Sequence, residues 1–276
     1  MAANLPHSAP HSASRTAPLI LVPNTLDLGE AAEHQCDIRG VLPDQVLRQA
    51  AALSHWLAED AKTTRAFLKR VDAVHPLARP LQDIEITQLP RPAKGRRPEE
   101  SASTSIGAAI PALLGPALQG TPMGLISEAG LPGVADPGAE VVAAAHEAGI
   151  PVTVLAGPSS LTLALAASGL NGQSFAFVGY LPQEAGARQS RIRELEQRSK
   201  QLHQTQVLIE TPYRNAALAE ALLHTLQPST RLSISSGLTL ARAWSRTHRV
   251  ADWRPQSQAL MQALADKVPA VFSFLT

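Results

Sequence analysis

The sequence is poor in several features that mark common protein classes. Its single cysteine, Cys36, cannot form an intramolecular disulfide, which fits a reducing compartment, and we expect a cytoplasmic protein. No apolar run approaches the roughly 20 residues that span a bilayer, so we expect no membrane partner. Aromatic residues make up only 4% of the chain, so the core must be built mainly from Leu, Val, Ile and Ala.

The charge balance excludes one further class. The formal net charge is +1, which argues against binding to nucleic acid through bulk charge but leaves room for a local basic patch. A basic loop covers residues 88–103, QLPRPAKGRRPEESAS, whose prolines and serines predict irregular structure. Its cations at Lys94, Arg96 and Arg97 are candidates for phosphate contacts, and a solvated surface loop is the simpler alternative.

Sequence motifs for several familiar chemistries are also missing. The chain has neither the P-loop pattern nor the G-x-G-x-x-G pattern, which disfavours nucleoside triphosphate hydrolysis and ordinary dehydrogenase chemistry. It has no H-E-x-x-H pattern and no Cys/His cluster with zinc spacing, so we expect no metal site. The nucleophile elbow of serine hydrolases is absent as well.

Hydrophobic runs and turn signals predict two α/β domains after a disordered tail at residues 1–16. In the first half, a strand at 123–127, a helix opened by Asp136 and a strand at 151–156 predict a βαβ crossover and a parallel sheet. The pattern of predicted strands and helices changes near residue 157. This change divides the chain into an N-terminal domain, 17–156, and a C-terminal domain, 157–276.

Periodicity also predicts a long helix behind Asp44, with Glu59 and Asp60 at its far end. Its apolar residues recur at helical spacing, at Val46, Leu47, Ala50, Leu53, Trp56 and Leu57. A second helix at 160–168, stopped by Gly169, follows the proposed domain boundary.

Three polar segments stand at predicted strand ends, where open α/β sheets gather their ligands. They are SEAGLPGVADPG at 127–138, GPSS at 157–160 and ETPYR at 210–214, whereas the acidic pair at 59–60 stands at the end of the predicted long helix. Glycines permit close approach to a ligand, and N–H groups at a helix start can bind an anion. On residue types alone, ligand loops and plain turns explain each of the three loops about equally well, whereas solvated helix-end charges are the simpler explanation of the acidic pair.

The ordered combination of these segments resembles one known family. The chain resembles the tetrapyrrole (corrin/porphyrin) methylases in the order of four segments: SEAGLPGVADPG, AGIPVTVLAGPSS, AASGLNGQSFAFVGYLP and IETPYRN. In addition, Ala58-Glu59-Asp60 matches that family's AED motif. Within the family, the likeness is to the branch containing the 16S ribosomal RNA 2′-O-ribose methyltransferase I. It runs from about residue 19 to residue 276 and is strongest from 124 to 215.

The resemblance implies two α/β domains of the tetrapyrrole-methylase type, with S-adenosylmethionine bound in a cleft between them, and a homodimer. Carried over by motif, the cofactor contacts are expected at Pro23, Ser127, Glu128, Ala129, Val134, Asp136, Ser159, Ser160, Glu210, Leu238 and Thr239.

The resemblance implies methyl transfer to ribosomal RNA, as 2′-O-methylation of a ribose, with the small ribosomal subunit as partner. Two alternatives stay open: a small-molecule acceptor such as a tetrapyrrole, and a non-catalytic module that only binds S-adenosylmethionine. Because a ribose hydroxyl is a poor nucleophile, a nearby base would help, and the candidates are Glu59, Asp60 and Glu128. Candidates for substrate contacts are Arg65, Arg96, Arg97 and Arg214.

Overall fold

The structure is a computed structural model that describes residues 16–27, 30–90 and 112–276. Its contacts divide the chain into two units. The first comprises Met1–Asn24 and Pro43–Ala156, and the second comprises Thr25–Leu42 and Gly157–Thr276. The short segment Thr25–Leu42 therefore belongs to the second unit, although it lies near the start of the chain.

Each unit contains a five-stranded sheet within the described residues. The strands, in chain order, are β1 (Leu19–Leu21), β2 (His55–Ala58), β3 (Glu85–Gln88), β4 (Met123–Ile126), β5 (Val152–Val154), β6 (Phe175–Gly179), β7 (Thr205–Ile209), β8 (Arg231–Ser236), β9 (Trp244–Arg249) and β10 (Ala270–Leu275).

The α-helices of the described residues accompany these strands. They are α1 (Ile38–Val41), α2 (Asp44–Ala52), α3 (Ala61–Asp72), α4 (Gly115–Leu118), α5 (Ala139–Glu147), α6 (Ser160–Ser168), α7 (Ala185–Leu202), α8 (Asn215–Thr225), α9 (Val250–Trp253) and α10 (Ser257–Ala263). Short 3₁₀ turns occur at Ala32–His34, Leu81–Asp83, Pro212–Arg214 and Arg254–Gln256. No helix of the described ranges is long and apolar enough to cross a membrane.

The sheet of the first unit has the order β3-β2-β4-β1-β5, and every pairing in it is parallel. The predicted parallel sheet is thus confirmed. Its central strands β2 and β4 are buried on both faces: Leu57 and Leu125 lie on one face at 0% exposure, and Trp56 and Ile126 lie on the other at 1%. Gly124 on β4 faces the Trp56 ring so closely that an added Cβ would lie 2.6 Å from Trp56 Cε3.

The prediction of one long helix behind Asp44 is wrong in its second half. The helix α2 ends at Ala52, and Trp56 and Leu57 lie on the strand β2, which pairs with β3 and β4. An apolar run buried on both faces carries no alternation, so its spacing cannot be told from that of a buried helix. Glu59 and Asp60 consequently follow a strand, which places them at a sheet edge.

The sheet of the second unit has the order β6-β7-β10-β8-β9. Strands β6 and β7 are parallel, whereas β10 is antiparallel to both β7 and β8. Its core contains Phe272 and Phe274 at 0% exposure and Trp253, whose Nε1 donates to the carbonyl oxygen of Leu232 at 2.9 Å. The predicted helix at 160–168 is confirmed, and Gly169 ends it in the left-handed region at φ 64°.

Candidate functional site

Polar residues meet at one edge of the first unit's sheet. Strands β2, β4 and β1 are neighbours and run the same way, so their carboxyl ends share that edge. Asn24 follows β1, Glu59 follows β2, and Ser127 and Glu128 follow β4. This is the position at which open parallel sheets bind ligands.

Asn24 ties two of these strand ends together. Its Nδ2 donates to the carbonyl oxygens of Ser127 at 3.2 Å and Glu128 at 3.0 Å, and its backbone N–H donates to Gly130 at 2.8 Å. Asn24 is 5% exposed, and its hydrogen bond to Ser127 is buried. Asn24 was not among the residues predicted from the sequence, where the available signal was an amide directly after a buried strand.

The two acidic residues after β2, Glu59 and Asp60, make different hydrogen bonds. Glu59 Oε2 accepts a hydrogen bond from the Glu128 N–H at 3.0 Å, which links the ends of β2 and β4. Asp60 Oδ1 accepts from the N–H groups of Lys62 and Thr63, each at 2.9 Å, and thereby caps α3. Glu59 therefore belongs to the sheet edge, whereas Asp60 has a local structural role.

Asp136 does not cap the next helix, which corrects the prediction from sequence. Helix α5 begins at Ala139, and its N-cap, Gly138, makes no side-chain capping bond. Burial, together with repulsion from the carboxylates of Glu59 and Glu128, raises the pKa of Asp136 to about 7. The sheet edge thus brings three acidic groups together, one of which exchanges its proton near neutral pH.

The loop that carries these groups is held in an unusual backbone path. Gly138 has φ 129°, and a Cβ there would lie 3.2 Å from Leu125 Cδ2. Ala135 also lies in the left-handed region, at φ 65°, where a side chain costs roughly 1–2 kcal/mol. Val134, beside it, is 43% exposed, although large apolar side chains are usually covered.

Ser127 supplies an unsatisfied group at the same edge. The residue is 3% exposed, and its Oγ is buried without a hydrogen-bond partner among the described residues. Leaving a buried hydroxyl unpaired costs roughly 1–3 kcal/mol, so such groups call for an explanation. A ligand that hydrogen-bonds Ser127 would remove that cost. Pro23 lies buried after β1, and Ala129 is half-buried in the loop after β4.

The second unit has a comparable strand-end edge. Strands β7 and β8 both run antiparallel to β10, so they end on the same side. Glu210 follows β7, and its side chain is 6% exposed. Glu210 Oε1 accepts from the Thr211 N–H at 2.7 Å and from Arg214 Nη2 at 2.6 Å. Arg214, predicted to contact substrate, is therefore fixed by an ion pair at this edge.

Thr239 is another residue whose hydroxyl lacks a partner among the described residues. Its Oγ1 is buried without a hydrogen bond to any described residue, and its backbone has φ 73°. It lines a cavity of about 710 Å³ together with Arg242 and with residues of the Thr25–Leu42 segment, among them Cys36. Its neighbour Leu238 packs against the apolar cluster that includes Val207 of β7.

The remaining predicted residues are distributed as follows. Ser159 is 8% exposed and is the N-cap of α6 without a side-chain capping bond, and Ser160 begins that helix. Arg65 is exposed on α3, where its Nη1 approaches the carbonyl oxygen of Ala61 at 3.4 Å. Arg96 and Arg97 lie outside the described residues. Within the described ranges, no group of three or more His, Cys, Asp or Glu residues is placed to hold a metal ion.

The chain matches one family over most of its length. The sequence model of the tetrapyrrole (corrin/porphyrin) methylases matches residues 45–248. This range contains the three acidic residues at the sheet edge of the first unit. It also contains Glu210 and Thr239 of the second unit.

Curated relatives match part of the chain. A ribosomal RNA small subunit methyltransferase I of Mycobacterium bovis is 40% identical over 108 residues, which are 39% of this chain and 36% of the relative. A protein of the same name from Synechocystis is 35% identical over 150 residues, which are 54% of this chain and 50% of the relative. The chain thus spans about half the length, or less, of these relatives.

Solved structures share the fold at low sequence identity. CobF of Corynebacterium diphtheriae, described as related to cobalamin synthesis, has a TM-score of 0.53 at 14% identity and covers 95% of this chain and 99% of its own. The methyltransferase CobJ has a TM-score of 0.50 at 16% identity and covers 93% of this chain and 94% of its own. These likenesses show the fold.

Proposed function

Because the chain belongs to the tetrapyrrole (corrin/porphyrin) methylases, we propose that it is a methyltransferase that uses S-adenosylmethionine. The observation that carries the proposal is the buried hydroxyl of Ser127, which has no partner among the described residues and stands at a position that the family motif assigns to the cofactor. The hydroxyl of Thr239, which also lacks a partner within the described ranges, supports it in the same way. A polar ligand would satisfy groups that the described protein leaves without partners.

We assign the cofactor contacts of each unit by motif and by this fit. In the first unit they are Pro23, Ser127, Glu128, Ala129, Val134 and Asp136. In the second unit they are Ser159, Ser160, Glu210, Leu238 and Thr239. When bound, S-adenosylmethionine supplies an electrophilic methyl group on a sulfonium. The protein's own contribution is to hold the two reactants in line and to exclude water.

The carboxylates of the first unit would handle the proton that the acceptor loses. Asp136 is suited to that task because a base works best when its pKa lies near the working pH, and the pKa of Asp136 is about 7. Glu59 and Glu128 sustain that pKa through their charge, and each remains a candidate for direct contact with the acceptor. Asp60 is the weaker candidate, because its Oδ1 caps α3.

We infer that the acceptor is ribosomal RNA of the small subunit, at a ribose 2′-hydroxyl. The partial likeness to ribosomal RNA small subunit methyltransferases supports this choice. In this assignment four arginines contact phosphates of the RNA: Arg65, Arg96, Arg97 and Arg214. Such contacts position RNA without reading its sequence. We also propose that the protein works as a homodimer and in the cytoplasm, where ribosomal subunits are found.

The first test is calorimetric titration of the purified protein with S-adenosylmethionine, alongside Ser127→Trp. Micromolar binding that disappears in the variant, with unchanged secondary structure by circular dichroism, is the expected result. Ser174→Trp, at an unrelated half-buried position before β6, serves as the matched control and should bind normally. Absence of binding by folded wild-type protein would contradict the proposal, and sedimentation of the same sample tests the homodimer.

A further inference from the structure

An aromatic ring and an ammonium group lie together in the second unit. Tyr213 belongs to the 3₁₀ turn Pro212–Arg214 that follows β7, and it is 77% exposed. The Nζ of Lys267 lies 5.0 Å from the centroid of its ring, which is a cation–π contact. A ring that is so exposed has room for a second partner.

The fold holds the two residues together through their buried neighbours. Asn215 is fully buried, and its Nδ2 donates to the carbonyl oxygen of Val268 at 2.9 Å. Because Asn215 comes two residues after Tyr213 and Val268 directly follows Lys267, this bond pins the two segments to each other. Pro212 further restricts the turn that presents the ring. The pair is therefore part of the folded framework of this unit.

The charges around the ring favour an anionic ligand. Arg214 is held by Glu210 at 2.6 Å, so that carboxylate is already engaged. Lys267 has no carboxylate oxygen within 4.0 Å among the described residues, although Asp266 precedes it in sequence. Lys267 also has φ 57°, a conformation that favours Gly or Asn, so a cation is placed here at a conformational cost.

We propose that Tyr213 and Lys267 form a nucleotide subsite for the RNA substrate. In it, the Tyr213 ring stacks on an unpaired base while Lys267 contacts an adjacent phosphate. Aromatic side chains stacked on unpaired bases and cations along the backbone are the usual means of binding single-stranded RNA. This inference rests on the proposed function, because it names residues that would hold the acceptor of the same reaction.

The test of the ring is fluorescence anisotropy with a short, labelled single-stranded RNA of mixed sequence. Tyr213→Ala is expected to weaken binding about 5- to 100-fold, the range that loss of one stacked base produces. Tyr213→Phe keeps the ring and should bind like the wild type. Phe175→Ala is the matched control, since Phe175 is 44% exposed at the opposite end of the neighbouring strand and should leave binding unchanged.

The test of the cation is the salt dependence of the same binding. Lys267→Asn removes the charge but retains a residue type that tolerates the left-handed backbone. The slope of log K against log salt should become shallower by about 0.7, which corresponds to one lost phosphate contact on a single strand. Lys200→Asn removes an exposed charge from the last turn of α7 and should leave the slope unchanged.

Three results of the binding experiments would overturn the inference: no binding of RNA by the wild type, equal binding by Tyr213→Ala, or a loss of binding that accompanies dissociation of the protein in sedimentation. The last result would identify Tyr213 as part of a contact between copies. Calorimetry with S-adenosylmethionine, expected to be unchanged in Tyr213→Ala, verifies that the variant is folded.

If the wild type methylates small subunits and Tyr213→Ala does so with the same KM, the subsite fails while the proposed function stands. If RNA binding depends on Tyr213 but no methyl group is transferred, the subsite stands and the function fails.

Discussion

Replacing Asp136 by Asn should stabilise the protein at alkaline pH and impair catalysis. The pKa of Asp136 rises from its ordinary 3.8 to about 7 on folding, so the folded state holds the proton more tightly than the unfolded state. Stability from this group is therefore fully present below pH 3.8 and is lost as the pH rises towards 7. The full shift corresponds to about 4 kcal/mol, which we halve to about 2 kcal/mol because the side chain is partly exposed and screened by solvent.

The assay is thermal unfolding of wild type and Asp136→Asn at pH 5 and at pH 8. Because Asn stays neutral, the free energy of unfolding of the variant at pH 8 should exceed that of the wild type by about 2 kcal/mol, seen as a Tm higher by about 4–8 °C. At pH 5 the difference in free energy should be less than half of that. Asp83→Asn, at an exposed position in the turn Leu81–Asp83, is the matched control and should gain nothing.

The same substitution tests the proposed role of Asp136 as a base. The methyl-transfer rate of the wild type should increase as the pH rises through about 7, and Asp136→Asn should lose about 10²-fold or more in rate together with that pH dependence. A variant that is destabilised at pH 8, or that gains equally at both pH values, would refute the account of the carboxylate cluster. Retention of the wild-type rate and pH profile would refute the role as a base.

Further substitutions test the surroundings of the site. Ser127→Ala should not lower Tm, because it removes a buried hydroxyl that has no partner among the described residues, and should weaken S-adenosylmethionine binding about 5- to 10-fold in calorimetry. Asn24→Ala should lower the free energy of unfolding by about 2–3 kcal/mol in urea titration, because it removes the amide that donates to the carbonyl oxygens of Ser127 and Glu128. Gly124→Ala should cost about 1–3 kcal/mol in the same assay, because the added Cβ overlaps the Trp56 ring.

For each of these three substitutions, a specific result would contradict the expectation. Unchanged affinity in Ser127→Ala would show that its hydroxyl does not contact the cofactor. An Asn24→Ala protein as stable as the wild type would mean that water replaces the lost amide. A neutral Gly124→Ala would show that Trp56 moves aside at little cost.

Local signals were enough to predict much of the fold. The crossover from residue 123 to residue 156 alternates strand, helix and strand within a short stretch, and the helix Ser160–Ser168 has a clear stop at Gly169. The strand His55–Ala58 was missed because its apolar residues Trp56 and Leu57 continue the spacing of the preceding helix. Periodicity alone does not separate these two structures in so short a run.

The site was harder to predict because its decisive contacts are distant in sequence. The amide of Asn24 bonds residues about 100 positions away, and no local pattern reveals that pairing. Asp136 has the sequence context of a helix cap, and only the folded chain places it beside Glu59 and Glu128. The ordered family motifs selected Ser127 and Thr239, and the structure adds that both hydroxyls lack partners within the described residues.

The most direct test of the central claim is transfer of a labelled methyl group from S-adenosylmethionine to purified, undermethylated 30S subunits. The account predicts that the wild type incorporates label into the ribosomal RNA at a ribose 2′-oxygen, and that Ser127→Trp does not. Absence of incorporation by wild-type protein that binds S-adenosylmethionine would contradict the assignment of ribosomal RNA as the acceptor.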